Sequence, residues 1–322
     1  MNPIVRALAG IALLAVSSAL LAQAYPARPV RVIVPYPPGG SVDFVARVVA
    51  QSLSEQMGRP FLVEIRAGAG GAIGSDAVAK AAPDGYTLLV QASTFAAAPH
   101  LVSNIPYDHV RDFTAISLFG TVPLIMTVHP SVTATSVREF IAQQKADPKR
   151  YIFGTSPVGS AGHLATEALR FESQMDILVV PYKGTAGAIA DLLGGQVHAL
   201  IDAIPSSYPL AKSGKLKLLA VSSAQRLPLI PDTPTISESG LPGFEMESWY
   251  GLWGPAKLPP EITSRLAAEV AKAVRSQLAV ERLTDQGFKA VGNTPEQFSE
   301  FIQKESARYG RLVRDAKIKA QQ

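Results

Sequence analysis

The chain has 322 residues, of which 47% are hydrophobic and 17% are charged, and it contains no cysteine. At about 150 residues per domain this length predicts two domains, and the absence of cysteine excludes disulfides, thiol catalysis, zinc–thiolate sites and lipid attachment through a cysteine. The 30 basic and 26 acidic residues give a net charge of +4 without a block of basic residues, so no nucleic-acid partner is expected.

The first 24 residues have the pattern of a secretory signal peptide. A single cation, Arg6, precedes an apolar run from Ile11 to Leu21, and Ala22-Gln23-Ala24 is a small-x-small cleavage site. The apolar run is too short to span the roughly 30 Å of a bilayer core. We therefore expect residues 1–24 to be removed and the mature chain to be periplasmic, without a membrane anchor.

From Tyr25 onward, short apolar runs alternate with segments of helical periodicity, which predicts βαβ units and open, mostly parallel sheets. The predicted strands are 30–34, 61–65, 87–91, 124–128, 151–154, 177–180, 199–202 and 216–221. The predicted helices are 41–57, 72–80, 136–145, 162–171, 185–193, 206–212, 260–278 and 295–316. The proline-rich stretch from Pro228 to Pro242 fits a chain that crosses between two lobes, and Trp249 and Trp253 are expected to pack between them.

Two predicted strand-to-helix loops have the chemistry of an anion site. Gly39-Gly40 would let the backbone approach a ligand closely, and the helix that begins near Ser41 presents free N–H groups and a positive dipole end. The loop from Thr155 to His163 offers hydroxyls, backbone donors and a histidine, although Pro157 removes one donor. Each loop could also be an ordinary helix cap that binds nothing. If the loops face each other from different lobes, they would hold a dianion between two helix ends.

A third candidate is Asp202, which lies at the carboxyl end of a predicted strand, where open α/β sheets bind ligands. It could accept a hydrogen bond from an amine or hydroxyl of a ligand, or it could cap the helix near Ser206. Both interpretations remain open from the residues alone.

Enzyme motifs are incomplete. Ser160 lies in a near match to G-x-S-x-G, but Val158 replaces the first glycine, and the last histidine, His198, precedes Asp202, against hydrolase order. The glycines of Gly68–Gly74 miss the dinucleotide spacing by one residue. The five histidines have no metal-ligand spacing. We therefore expect no enzyme, metal or cofactor.

Seven segments, taken together, resemble the substrate-binding receptors of tripartite tricarboxylate transporters, also called Bug receptors. They are Tyr25–Val30, Pro35–Asp43, Gly68–Gly74, Ala82–Leu89, Val180–Gly184, Gly194–Val197 and Trp249–Pro255. They occur in the family's order over nearly the whole mature chain.

The resemblance implies a two-lobed periplasmic-binding-protein fold of type II-like organisation that closes like a Venus flytrap. Lobe 1 would be 25–125 plus 248–322, lobe 2 would be 126–247, and the chain would be a monomer. The receptor would capture a small mono- or dicarboxylate and deliver it to a two-subunit membrane permease. The alternatives are a periplasmic sensor domain for a signalling partner and an esterase-like enzyme. The ligand-binding residues expected from the loops and the resemblance are Tyr36, Gly39, Gly40, Ser41, Asp43, Ser93, Thr155, Ser156, Gly159, Ser160, Gly162, His163 and Asp202.

Overall fold

The computed structural model describes residues 25–318, so the predicted signal peptide lies outside the described residues. The strands are β1 (Val30–Val34), β2 (Phe61–Ile65), β3 (Thr87–Ala92), β4 (Phe113–Val128), β5 (Ile152–Thr155), β6 (Leu178–Pro181), β7 (Ala199–Ala203), β8 (Lys217–Val221), β9 (Glu247–Pro255) and β10 (Lys289–Ala290). The helices are α1 (Ser41–Met57), α2 (Ala72–Ala79), α3 (Thr94–Leu101), α4 (Val137–Ala146), α5 (Ala161–Ser173), α6 (Thr185–Leu193), α7 (Ile204–Lys212), α8 (Pro260–Ala273), α9 (Gln277–Leu283) and α10 (Pro295–Asp315).

The strands form one ten-stranded mixed sheet in the order β2-β1-β3-β9-β4-β7-β5-β6, with β8 and β10 also paired to β4. The outer strands pair in parallel, β1 with β2 and β3, and β5 with β6 and β7. The central strands β4 and β9 pair antiparallel with their neighbours. The fold is therefore the expected α/β type, with parallel outer strands in each half and an antiparallel centre.

Strand β4 runs through both halves of the sheet. Residues 113–123 pair with β9, whereas residues 124–128 pair with β7 and, on the other edge, with β8. The sequence pattern predicted only the second part of this strand. The first part contains Gly120, and a Cβ at that position would collide with the backbone of Lys289 and the ring of Phe288. The glycine that weakens the strand signal is thus the residue that lets β10 pair with β4.

The two tryptophans of β9 pack against the last helix rather than between the lobes, where we expected them. The Trp253 ring centroid lies 4.8 Å from that of Phe298 on α10, and Trp249 Nε1 donates to the hydroxyl of Tyr309 at 3.0 Å. Gly251 lies between the two tryptophans, and a Cβ there would overlap the ring of Phe298. The last helix is therefore fixed to the first half of the sheet by aromatic packing.

The predicted helix 260–278 is two helices in the structure. The chain leaves the helical path after Ala273, and the hydroxyl of Ser276 accepts a hydrogen bond from Ala279 N–H and caps α9. The predicted start of α10 is correct, since Thr294 and Gln297 form the reciprocal hydrogen bonds of a capping box.

Candidate functional site

A cavity lies where the two halves of the sheet meet. It contains about 510 Å³ of space not filled by protein, part of it open to solvent. Its wall is formed by Tyr36, Pro37, Ser41, Val42, Ala92, Ser93, Thr94, Leu124, Ser156, Pro157, Ser160, Ala161, Gly162, Gly184, Thr185, Asp202, Ala203 and Ser248. These residues come from both halves of the sheet, so a molecule in the cavity would contact both.

Four helices begin at the cavity wall. Their first residues are Ser41 of α1, Thr94 of α3, Ala161 of α5 and Thr185 of α6. The first N–H groups of a helix have no partner within the helix, and the helix dipole places partial positive charge at this end. Two of these helices belong to each half of the sheet. The arrangement therefore favours an anion that is held from both sides.

Apart from Asp202, the polar side chains of the wall are neutral hydroxyl groups. Among the described residues that line the cavity, none is a lysine or an arginine. Hydroxyls come from Tyr36, Ser41, Ser93, Thr94, Ser156, Ser160, Thr185 and Ser248. The hydroxyl of Ser93 is buried and has no hydrogen-bond partner within the described part of the chain. An unpaired buried hydroxyl is costly, and a ligand oxygen in the cavity would supply the missing partner.

Asp202 is the one acidic residue of the described wall, and it ends a chain of side-chain hydrogen bonds. Thr185 Oγ1 donates to Ser156 Oγ at 3.2 Å, and Ser156 Oγ donates to Asp202 Oδ1 at 3.2 Å. The second oxygen, Oδ2, is buried without a partner in the described residues. Burial raises the pKa of Asp202 to about 6, despite hydrogen bonds that favour the charged form.

Tyr36 is held in place from behind the cavity. Its hydroxyl donates to Gln91 Oε1 at 2.9 Å, and Gln91 Nε2 in turn donates to Ser75 Oγ at 3.3 Å. Burial raises the pKa of Tyr36 to about 12, so the hydroxyl keeps its proton. Gly71 has a φ of 99°, and a Cβ there would lie 3.0 Å from the Tyr36 hydroxyl oxygen. The glycine-rich turn thus supports the tyrosine rather than a dinucleotide.

The two halves of the molecule touch around the cavity. A Cβ built on Gly184 would lie 3.3 Å from Cδ of Pro37, and one built on Gly159 would lie 3.5 Å from the side chains of Ala97 and Leu101. The loop before α6 therefore meets the loop before α1, and the loop before α5 meets α3. With these contacts on both sides of the cavity, the two halves are in a largely closed arrangement.

The structure brings seven of the thirteen predicted site residues to the cavity wall, namely Tyr36, Ser41, Ser93, Ser156, Ser160, Gly162 and Asp202. The other six, Gly39, Gly40, Asp43, Thr155, Gly159 and His163, lie outside it. Asp43 accepts a hydrogen bond from Gly39 N–H at 3.0 Å and one from Arg47 Nε at 2.7 Å. The Asp43 carboxylate therefore stabilises the loop before α1, and its hydrogen bonds are made within the protein rather than to a ligand.

His163 has a comparable supporting position. Its backbone N–H donates to Ser160 Oγ at 3.1 Å, and its Nδ1 accepts from Gly159 N–H at 3.3 Å. Burial lowers the pKa of His163, so the ring is neutral at pH 7. Because Nδ1 is engaged with Gly159, and Ser160 Oγ with a backbone N–H, these residues do not form the serine–histidine pair that a hydrolase needs.

Sequence reasoning missed several wall residues, of which Gly184, Thr185 and Ser248 are the most informative. Gly184 and Thr185 follow β6 and begin α6, so they meet the same strand-to-helix criterion that selected the other loops. Applying it to every predicted strand end would have found them. Ser248 lies on β9, which had no recognised strand signal.

Comparison with known proteins identifies the family of this chain. Residues 45–318 match the family model described as the tripartite tricarboxylate transporter family receptor. The chain belongs to this receptor family. The Bordetella pertussis protein BugT is 40% identical to this receptor over 313 residues, which cover 96% of each chain.

Two solved structures from Rhodopseudomonas palustris are similar to this receptor. One, described as Rpa4515 with adipate, is 35% identical, has a TM-score of 0.89 and covers 92% of this chain and all of that one. The other, MatC with bound malate, is 31% identical, has a TM-score of 0.85 and covers 90% of this chain and all of that one. These relatives are binding proteins, so the esterase interpretation does not apply to this receptor.

Neither a metal site nor a membrane span is found in the described part of the receptor. No group of three or more histidine, aspartate or glutamate side chains between residues 25 and 318 could hold a metal ion. Within the same range, no helix is both long and apolar enough to cross a bilayer.

Proposed function

We propose that the protein is a periplasmic receptor that binds a small mono- or dicarboxylate in the cavity between its two lobes. The observation that carries this proposal is the convergence of four helix N-termini on one cavity whose described wall has no cationic side chain. The adipate and malate bound to its relatives support the same ligand class.

The wall offers suitable contacts both to the carboxylate groups of a dicarboxylate and to its hydrocarbon chain. Each helix N-terminus stabilises an anion by roughly 0.3–2 kcal/mol, and backbone N–H groups and hydroxyls complete the hydrogen bonds of the carboxylate oxygens. Between the polar groups, the side chains of Pro37, Val42, Leu124 and Pro157 offer apolar contact to a hydrocarbon segment. A short chain with a carboxylate at each end would satisfy the hydroxyls on both sides of the cleft.

Ligand binding would couple to closure because the donors come from both lobes. The lobes, predicted as 25–125 plus 248–322 and 126–247, would join near the point where β4 changes partners, between Pro123 and Leu124, and near the start of β9. A ligand that touches both lobes binds the closed form more tightly and shifts the population toward it. A two-subunit membrane permease would recognise the closed, monomeric receptor. The receptor would then release its carboxylate to the permease.

Calorimetric titration against a panel of succinate, adipate, malate, glutamate and benzoate tests the proposal. We expect at least one member to bind with a dissociation constant in the micromolar range or below. Absence of binding by every member, with folded protein confirmed by its thermal transition, would rule out a carboxylate receptor. Transport in cells that carry or lack the candidate permease then separates delivery from a sensing role.

A further inference from the structure

We propose, on the basis of the proposed function, that Asp202 takes up a proton when the carboxylate binds, so that the receptor captures an anion and a proton together. In the complex, the protonated Oδ2 of Asp202 would donate a hydrogen bond to a ligand oxygen. The proton comes from hydronium or a buffer acid in solvent, whose bond to it breaks as the Asp202 O–H bond forms, and no other covalent bond changes.

The position of Asp202 places a second negative charge beside the bound anion. Ser156, in the loop before α5, and Thr185, the first residue of α6, both line the cavity beside helix ends where a carboxylate would be held. Ser156 donates to Asp202 and Thr185 donates to Ser156, each at 3.2 Å. When two carboxylates share one buried site with no cation between them, their repulsion raises the pKa of one of them strongly.

Among the described residues, no cationic side chain lines the cavity between these charges. The wall has neither lysine nor arginine, and the strands β4 and β5 beside β7 contain no titratable residue. Tyr250 on β9 faces Asp202, and burial raises its pKa to about 12, so it stays neutral.

The helices packed near β7 do not supply a positive charge to Asp202 either. On α5, His163 is neutral at pH 7 because burial lowers its pKa, and its charge interactions are with Glu167 and Arg170 of the same helix. Asp191 on α6 accepts a hydrogen bond from the hydroxyl of Tyr182. On α7, Tyr208 and Lys212 are outside the cavity wall. The repulsion between Asp202 and the bound anion is therefore relieved most directly by a proton on Asp202 itself.

A proton on the unpartnered oxygen of Asp202 would allow this oxygen to donate a hydrogen bond to the ligand. Oδ2 is buried and accepts no hydrogen bond in the described residues, whereas Oδ1 accepts from Ser156. A proton on Oδ2 converts an unsatisfied acceptor into a donor, and the ligand carboxylate is an acceptor. Since burial has already raised the pKa of Asp202 to about 6, a further rise caused by the bound anion would keep it protonated at neutral pH.

Titration calorimetry with adipate between pH 6 and pH 8, in two buffers of different ionisation enthalpy, tests this inference. Ionised adipate has no hydrogen-bond donor of its own, so Asp202 must supply one. From the pKa of about 6 we expect the dissociation constant to rise about ninefold from pH 7 to pH 8, with close to one proton taken up for each ligand bound.

Asp202→Asn supplies the second measurement. Its amide resembles the protonated acid, so we expect it to bind adipate with the same affinity at pH 6 and pH 8 and without proton uptake. His163→Gln should keep the pH dependence of the wild type.

An affinity that does not change with pH, or proton uptake that persists in Asp202→Asn, would overturn the inference. If Asp202→Asn fails to fold, the proton count of the wild type decides alone. No binding of any panel acid at any pH would instead overturn the proposed function as well.

Discussion

The hydroxyl of Ser222 accepts a hydrogen bond from the backbone N–H of Leu124 at 2.8 Å, at the point where β4 enters the second half of the sheet. The same hydroxyl donates to the carbonyl of Met246, just before β9. The backbone of Ser222 also bonds to Leu124 and to Met246, at 2.9 and 3.1 Å. One buried serine therefore joins the two strands that connect the lobes.

Ser222→Ala is expected to destabilise the protein by about 2 kcal/mol, because it leaves a buried N–H and a buried carbonyl without their side-chain partner. Urea denaturation of the ligand-free protein measures the change. Ser213→Ala is the matched control, since the Ser213 hydroxyl makes one exposed hydrogen bond to the Leu210 carbonyl, and it should change stability by less than about 0.5 kcal/mol. Equal stability of the two variants would contradict a structural role for Ser222.

A negative charge at the N-terminus of α5 should compete with the ligand. Ser160 caps this helix by accepting from His163 N–H, and aspartate caps a helix as well as serine does. We therefore expect Ser160→Asp to keep its stability but to bind the tightest panel acid about 10- to 30-fold more weakly, because the new carboxylate occupies the anion position.

Ser136 offers a matched control for this substitution, since it caps α4 in the same way and does not line the cavity. Ser136→Asp should leave the dissociation constant unchanged within about twofold. A loss of affinity of similar size in both variants would mean that the charge acts at long range and that the N-terminus of α5 does not hold the ligand.

The close approach of α5 to β7 depends on Gly162. A Cβ at this position would collide with the carbonyl oxygen of Ile201, which precedes Asp202. Gly162→Ala should therefore cost about 2–3 kcal/mol of stability and weaken ligand binding by displacing Asp202. At Gly40, a Cβ meets no atom within 4 Å and φ is −86°, so Gly40→Ala should cost less than about 1 kcal/mol. Thermal and urea unfolding distinguish the two, and a Gly162→Ala protein as stable as Gly40→Ala would show that the helix can shift freely.

The ligand-free protein should become more stable at neutral pH when Asp202 is replaced by asparagine. The pKa of Asp202 rises from 3.8 to about 6 on folding, so its contribution to stability is fully present below pH 3.8 and is lost as the pH rises through 6. Asp202→Asn should therefore match the wild type near pH 4 and exceed its free energy of unfolding by about 2–3 kcal/mol at pH 7.

Asp43 provides the control for this pH effect, because it is also a buried aspartate but is paired with Arg47. Asp43→Asn should show no stabilisation at pH 7. Urea unfolding at several pH values measures both variants. A wild-type protein that is more stable than Asp202→Asn throughout the range would mean that Asp202 is compensated by a charge in the folded state.

Local patterns predicted the outer strands, most helices and two of the loops that contribute residues to the cavity wall. β1, α1 and the loop between them follow from an apolar run, two glycines and a helical stripe that are contiguous in sequence. The long strands β4 and β9 could not be predicted in this way, because Gly120 and Gly251 weaken the local strand signal. Glycine is required at both positions, since a Cβ would overlap residues far along the chain.

Residue type alone could not separate wall residues from supporting ones. Asp43 and His163 carry the chemistry of ligand-binding groups, but hydrogen bonds to Gly39 and Gly159 place them behind the loops. Conversely, Leu124 and Ser248 line the cavity only because β4 and β9 cross between the lobes at this point. These positions depend on tertiary geometry rather than on any local motif.

The most direct test of the central claim compares the tightest-binding acid of the panel with its own uncharged amide, for example adipate with adipamide, in calorimetric titrations at pH 6.5. The two molecules have the same carbon chain and nearly the same shape. If the helix N-termini and hydroxyls recognise a carboxylate, the amide should bind at least about 100-fold more weakly than the acid. Equal or tighter binding of the amide would show that the cavity selects shape rather than negative charge.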